Sequence, residues 1–152
     1  MEKLHIAEKK ALYYGCIGLC LIYTLIMMKL LFFRGSGYRW ETYNYNLIPF
    51  KTILNDIRHM HAGQIEMGFK NLAGNLVLFL PMGVFAPLLG RRWRRFGPFA
   101  GFSLAVLVSI ELIQLCTRVG TLDVDDVMLN FIGALLGFVT LPRLIRIKNR
   151  GG

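Results

Sequence analysis

Charged residues are scarce in this sequence, and its apolar residues come in long blocks rather than in alternating stripes. Asp, Glu, Lys and Arg make up 18% of the 152 positions, whereas about 25% is usual in a soluble domain. Five prolines are too few for a low-complexity chain, and the 16 glycines follow no collagen period. With 55% apolar residues and a mean hydropathy of +0.48, a disordered chain is excluded, because too much apolar surface would be left in water. The composition indicates an integral membrane protein.

The sequence also lacks the residue patterns of common catalytic and metal sites. It has no HExxH motif, no glycine-rich phosphate loop and no evident Ser–His or Cys–His pair. Its cysteines, Cys16, Cys20 and Cys116, are odd in number and lie inside apolar segments, which predicts buried thiols rather than a disulfide or zinc framework. No metal ion and no cofactor is predicted.

Basic residues outnumber acidic ones by 18 to 9, which gives a formal net charge of +9. In a soluble protein this balance would suggest nucleic-acid binding. Here the basic residues cluster beside apolar segments, and no recognition motif accompanies them. We therefore expect the charge to set the membrane topology, and we expect no nucleic-acid partner.

Four apolar segments predict transmembrane helices within a single membrane domain, residues 1–152. They are residues 11–33, 72–89, 96–116 and 127–142. A hydrocarbon core of about 30 Å takes about 20 apolar residues, so the last segment needs its flanking residues to complete the crossing. The predicted fold class is an all-α integral membrane protein with four transmembrane helices.

The positions of Lys and Arg predict the orientation of these helices. Basic residues concentrate in the N-terminal segment, in the turn at 91–95 and in the C-terminal tail, which four crossings would place on one side. On the other side they are spread thinly, at Arg34, Arg39, Lys51, Arg58, Lys70 and Arg118. Both termini are therefore predicted to be cytoplasmic, and the 38-residue segment 34–71 is predicted to form an outer loop.

The outer loop carries aromatic residues at its start and an amphipathic pattern at its centre. The aromatic residues, which suit a membrane interface, are Tyr38, Trp40, Tyr43 and Tyr45. Apolar residues at helical spacing then predict a short amphipathic helix; they are Phe50, Ile53, Leu54, Ile57 and Met60. Pro49 is expected in the first turn of this helix. Two placements stay open, a helix lying on the outer surface and a re-entrant segment.

Polar side chains beside or within the apolar segments are informative, because a charge at the bilayer centre needs a partner, water or a function. In the third helix they fall at offsets of 0, 3 and 7, on one predicted face; they are Glu111, Gln114 and Arg118. The start of the fourth helix repeats these offsets with Asp123, Asp126 and Asn130, beside Asp125. The second helix begins with Asn71 and Asn75, and Pro81 within it frees a backbone carbonyl near Val77. All these side chains fall in the outer half of the predicted bundle, so we expect one polar pocket in the outer leaflet.

Each of these residues also has a structural interpretation. Asp123 and Asp125 suit helix capping, and an ion pair between Glu111 and Arg118 would hold the bundle together. Asn75 and Asn130 suit hydrogen bonds between helices, and the spacing of Gly133 and Gly137 suits close helix packing. The shared placement at one side of the membrane is what favours a binding site over these interpretations.

Three ordered motifs resemble the VanZ-like family of bacterial membrane proteins. They are Asn46-Leu-Ile-Pro49-Phe50, then Gly74-Asn75-x-x-x-Phe79-x-Pro81-x-Gly83, then Glu111, Gln114, Arg118, Asp123, Asp125, Asp126, Asn130, Gly133 and Gly137. Thr121-Leu122 stands where the family more commonly has an aromatic residue, and Phe131 replaces a smaller residue. The resemblance implies a small helical protein of the bacterial cell membrane, linked in some members to low-level resistance to the glycopeptide teicoplanin. It supplies no chemical mechanism.

Three functions stay open on the sequence. In the first, the pocket binds a lipid head group, a lipid-linked cell-wall precursor or a lipophilic glycopeptide, with Arg118 on phosphate and Glu111 holding Arg118 in place. The other predicted ligand-binding residues are Asn75, Gln114, Asp123, Asp126 and Asn130, supported by Asn46, Pro49, Asn71, Pro81, Asp125, Gly133 and Gly137. In the second, the carboxylates bind Mg²⁺ in a membrane-embedded enzyme acting on a prenyl-phosphate or lipid substrate. The third is a structural membrane subunit, and the oligomeric state stays open in all three.

Overall fold

The computed structural model describes the backbone of residues 2–33 and 40–148, and the side chains of this range apart from residues 2–9, 12, 67 and 141–148. It contains five α-helices: α1 (Glu2–Phe32), α2 (Lys51–His61), α3 (Ile65–Leu89), α4 (Phe96–Thr117) and α5 (Val124–Lys148). A 3-10 turn at Arg91–Arg94 joins α3 to α4. Two short strands, β1 (Tyr45–Asn46) and β2 (Leu122–Asp123), precede α2 and α5.

Three helices in the described part of the chain are long and apolar enough to cross a membrane. The stretches are Tyr13–Phe32, Gly68–Leu89 and Phe96–Thr117. The prediction of a mostly helical chain with several helices able to span a membrane is therefore confirmed. A fourth crossing by α5, the cytoplasmic position of the termini and the outer position of α2 stay predictions. Three residues of the predicted outer loop lie outside the described residues: the interfacial aromatic residue Tyr38 and the basic residues Arg34 and Arg39.

The second apolar helix begins earlier than predicted, so the intervening loop is shorter. α3 starts at Ile65, and residues 62–64 form a tight turn after α2, with Gly63 at a φ of 90°. α2 folds back against α3 because Gly68 has no side chain: a Cβ there would lie 2.5 Å from the carbonyl oxygen of Asp56. Asn71, predicted to end the loop, is instead a residue of the second turn of α3.

Three glycines allow α3 and α5 to pack backbone against backbone. A Cβ on Gly133 would overlap the carbonyl oxygen of Leu76, and one on Gly137 would overlap that of Leu80. Gly83 on α3 faces the carbonyl of Ala134 in the same way. The two glycines on α5 therefore serve helix packing within the chain, because small residues let helices in membrane bundles approach closely.

Large apolar side chains fill the space between α3, α4 and α5. Phe79, Phe99 and Leu107 are almost completely buried, and the ring of Phe99 stacks on Phe138 with centroids 4.4 Å apart. α1 lies at the edge of this core and is held by two polar contacts. The Tyr23 hydroxyl donates to the carbonyl of Leu78 (2.8 Å), close to Pro81, and the Gln114 side chain donates to the carbonyl of Leu31 (3.1 Å).

A parallel strand pair fixes the 40–46 segment to the connection between α4 and α5. Tyr45 lies opposite Leu122 and Asn46 opposite Asp123. Arg118 ends α4 in the left-handed conformation, at a φ of 57°, and its carbonyl accepts a hydrogen bond from the Trp40 amide (2.9 Å). The segment that leads into α2 is thereby held against the start of α5.

Candidate functional site

Asp125 binds the start of α2 from another helix. This completely buried carboxylate accepts hydrogen bonds from the backbone amides of Phe50 (2.6 Å), Thr52 (2.8 Å) and Ile53 (3.2 Å). No side chain adjacent in sequence caps α2, so Asp125 satisfies amides that a helix start leaves unpaired. Phe50 adopts a left-handed φ of 65° and Pro49 lies in the turn before it, so the expectation that Pro49 occupies the first helical turn was wrong.

Asp123 extends the same network to the Asn46 motif. Its carboxylate accepts hydrogen bonds from Asn46 Nδ2 (3.1 Å), Thr52 Oγ1 (2.5 Å) and the amide of Asp125 (2.9 Å). Its own amide donates to Glu111 Oε2 (3.0 Å). We call Asn46, Thr52, Asp123 and Asp125 the loop clamp, because these four residues join the segment before α2 to the start of α5.

A polar cavity of about 490 Å³ lies beside the loop clamp, between α1, α3, α4 and α5. It is at the end of the bundle where α1 and α4 finish and α3 and α5 begin, opposite the Arg91–Arg94 turn. Its polar lining consists of Lys70, Asn71, Asn75, Glu111, Gln114, Asp126 and Asn130. The apolar lining includes Leu30, Leu31 and Leu78.

Several of these polar side chains are joined to one another or to a neighbouring helix. Asn75 Nδ2 donates to Asp126 Oδ1 (2.5 Å), and Asn71 Nδ2 donates to Asp56 Oδ2 of α2 (2.6 Å). No described group donates to the second oxygen of Asp126, or to Glu111 Oε1. Both carboxylates therefore keep free acceptor positions at the cavity.

Asn130 is the side chain in the cavity that the fold leaves least satisfied. It is only 4% exposed, and its Oδ1 is buried without a hydrogen-bond partner in the described part of the chain. A buried polar atom left unpaired costs about 1–3 kcal/mol. The interhelical hydrogen bond expected of Asn130 is not formed, and its carbonyl oxygen needs a donor from elsewhere.

Arg118 lies outside the cavity and forms no ion pair with Glu111, contrary to the sequence-based expectation. Its guanidinium lies over the ring of Tyr43, 4.6 Å from the centroid, and contacts the carbonyl of Glu41 (3.5 Å). The offset of 7 from Glu111 assumed that the helix continues, but α4 ends at Thr117 and the left-handed Arg118 turns the chain away. The predicted role of Arg118 in holding phosphate inside the cavity is thus not supported by its position.

The structure divides the remaining predicted polar residues into two groups. Asn75, Glu111, Gln114, Asp126 and Asn130 line the cavity together with Asn71. Asp123, Asp125 and Asn46 belong to the loop clamp, since Asp123 lies in β2, before the start of α5. The offsets that placed Asp123 on one helical face with Asp126 therefore did not apply to it.

Two groups at the cavity were not predicted to lie there, the side chain of Lys70 and the carbonyl of Leu31. Lys70 lines its mouth and pairs with Glu66, with 2.5 Å between Nζ and Oε1. Lys70 is next to Asn71 and one turn before Gly74, which both line the cavity. This position would have indicated a place at the cavity if α3 had been predicted to begin at Ile65. The carbonyl of Leu31, which holds Gln114, gives no sequence signal, because any residue carries a carbonyl.

The described side chains include no group of three or more His, Cys, Asp or Glu residues placed to hold a metal ion. The carboxylates of Asp123 and Asp125 accept hydrogen bonds from the loop. The magnesium-dependent interpretation therefore has no supporting arrangement among these residues.

Comparisons of the amino-acid sequence with known proteins found one family model and one curated relative. The family model VanZ/LLP1 matches residues 20–146. Protein VanZ of Enterococcus faecium is 27% identical over 127 residues, which cover 79% of this chain and 69% of that protein. No solved structure matches the chain. The matched range includes the loop clamp and every residue that lines the polar cavity.

Proposed function

The chain belongs to the VanZ/LLP1 family, and from that premise we propose that it binds the polar head group of a membrane lipid or lipid-linked cell-wall precursor in the polar cavity. The unsatisfied Oδ1 of the buried Asn130 is the observation that carries this proposal. A buried acceptor without a donor is rare in native proteins and calls for a missing partner. The resemblance noted from the three sequence motifs is confirmed by the same match.

The free acceptors define the chemistry of the ligand. Asn130 Oδ1 lacks a hydrogen-bond donor, and Glu111 and Asp126 each keep an acceptor position at the cavity, so the favoured head group carries hydroxyl or ammonium groups. A phosphate group without a hydroxyl or ammonium group beside it would lie near two carboxylates in the cavity, Glu111 and Asp126. Lys70 is the only basic side chain in the described lining. A glycosylated or amino-bearing head group, with its phosphate toward Lys70, fits this distribution of charge.

The proposed topology has four crossings, with α5 as the fourth, and both termini in the cytoplasm. α5 has 25 residues, about 37 Å of helix, which exceeds the thickness of a hydrocarbon core. The arginine-rich turn at Arg91–Arg94 would be cytoplasmic by the positive-inside rule. The polar cavity, at the opposite end of the helices, would then open at the outer leaflet of the bacterial cytoplasmic membrane.

The test is the lipid that the protein retains on purification. Wild type, Asn130→Leu and a control, Asn55→Leu, are purified in mild detergent, and bound lipids are identified by mass spectrometry. Asn55 lies exposed on α2, away from the cavity. We expect wild type and Asn55→Leu to enrich a hydroxyl- or amine-bearing lipid and Asn130→Leu to lose it. Equal lipid content in all three proteins would contradict the proposal.

A cellular readout follows from the teicoplanin link that the resemblance implies. A host expressing the chain is expected to become less susceptible to teicoplanin if the cavity withholds a cell-wall precursor or the lipophilic tail of the drug. The same protective effect is expected from Asn55→Leu and not from Asn130→Leu. Protection that persists in Asn130→Leu would separate the cellular effect from the polar cavity.

A further inference from the structure

A second cavity lies deeper among the same helices and is almost wholly apolar. It has a volume of about 330 Å³ and lies between α1, α3 and α4. Its lining from α1 includes Tyr23 and Met27, that from α3 includes Phe79 and Met82, and that from α4 includes Val106 and Ile110. A cavity of this lining does not hold water, because it offers too few polar partners.

The apolar cavity continues the polar cavity along three helices. Leu31 lines both. On α4, Gln114 of the polar cavity lies about 12 Å beyond Val106 of the apolar cavity. On α3 the order is reversed along the chain, with Asn75 before Phe79 and Met82, as an antiparallel helix requires. The two cavities therefore follow one another along the bundle, and the lining of the apolar cavity reaches Leu89 at the far end of α3.

The apolar cavity lies where α1 packs loosely against the other helices. Only 6% of the apolar stretch of α1, Tyr13–Phe32, is buried. Its polar contacts to other helices, at Tyr23 and at Leu31, lie toward the two ends of the stretch that borders the cavity. Apolar walls without contacts lose dispersion energy, so a bilayer-spanning protein gains by admitting hydrocarbon there.

We infer that the apolar cavity seats one hydrocarbon chain of the lipid whose head group the polar cavity takes. The inference rests on the proposed function and narrows the ligand to a molecule with a donor-bearing head group and a long chain directly attached to it. Soluble sugars, free amines and detached head groups are excluded as ligands of comparable affinity, because they cannot use the second cavity.

The test fills the apolar cavity and leaves the polar one intact. Val106→Trp places an indole in the cavity, whereas the control Val108→Trp places it on the 45%-exposed face of the same helix. Ile110→Phe is a milder filling variant for use if Val106→Trp unfolds, which a thermal melt in detergent reports. We expect retained lipid to fall at least about tenfold in the filled variants and to be unchanged in the control.

Comparison with Asn130→Leu separates this inference from the proposed function. One outcome is that the folded cavity-filling variants retain as much lipid as wild type, whereas Asn130→Leu loses it. This would overturn binding of the hydrocarbon chain in the apolar cavity and leave head-group binding standing. Wild-type content in all variants would overturn both. Loss in the filled variants alone would show chain binding without the polar cavity, which would overturn the joint site. Binding of a short-chain analogue as tightly as the long-chain lipid would also overturn the inference.

Discussion

The loop clamp and the polar cavity lie side by side and contain similar carboxylate and amide side chains. They differ in how many hydrogen bonds these side chains form within the protein. In the loop clamp, Asp125 accepts hydrogen bonds from three backbone amides, and Asp123 accepts hydrogen bonds from three further donors. In the polar cavity, Asn130 Oδ1 has no described partner, and Asp126 has one. Similar residue types therefore differ in role: the first group holds the chain together, and the second keeps the unpaired acceptors on which the proposed ligand site depends.

The largest difference is expected between Asp125→Ala and Asp126→Ala. Asp125→Ala leaves three amides at the start of α2 without their acceptor and should lower the free energy of unfolding by at least about 3 kcal/mol, whereas Asp126→Ala loses one partner and should cost less than about 1.5 kcal/mol. Thermal unfolding in detergent, followed by tryptophan fluorescence, measures both. Equal losses would show that the two groups do not differ as their hydrogen bonds suggest.

Within the cavity, Asn130→Leu and Asn75→Leu are expected to change stability in opposite directions. Asn130→Leu removes an unsatisfied buried oxygen and should raise the free energy of unfolding of lipid-free protein by about 1 kcal/mol. Asn75→Leu removes the donor to Asp126 and should lower it by about 1 kcal/mol. The comparison uses delipidated protein in the same melt. A loss of stability in Asn130→Leu would mean that its amide is already satisfied.

Tyr23→Phe tests the attachment of α1, which borders both cavities. Loss of the hydrogen bond to the carbonyl of Leu78 should cost about 0.6 kcal/mol, a usual value for a polar contact between membrane helices. Tyr14→Phe on the same helix is the control, since Tyr14 is 67% exposed. A change of the same size in the control would attribute the effect to the bilayer interface rather than to the contact.

The smallest effect is expected from Arg118→Lys. Because the guanidinium contacts Tyr43 and the carbonyl of Glu41 outside the polar cavity, retained lipid should equal that of wild type. Lipid mass spectrometry of the purified variant provides the measurement. Loss of lipid would restore Arg118 to the set of ligand-binding residues.

The helices were predictable from the sequence, because long apolar blocks and helical spacing report burial in a membrane directly. The clustering of Asn75, Glu111, Gln114, Asp126 and Asn130 followed from the same patterns together with the order of the helices. Arg118 and Asp123 were misplaced, because helical offsets hold only while a helix continues. The left-handed Phe50 and the contact of Asn46 with Asp123 depend on tertiary structure, which a spacing rule does not contain.

The parallel pairing of β1 with β2 also sets an order for assembly in the membrane. Asn46 and Asp123 are 77 positions apart, and α2, α3 and α4 lie between them. Along the chain, the start of α2 precedes its acceptor Asp125, and the apolar helices α3 and α4 lie between the two. We therefore expect the closing of this long loop to be a late event in synthesis, because a nascent chain truncated before residue 125 would carry the apolar stretches of α1, α3 and α4 with an unanchored α2.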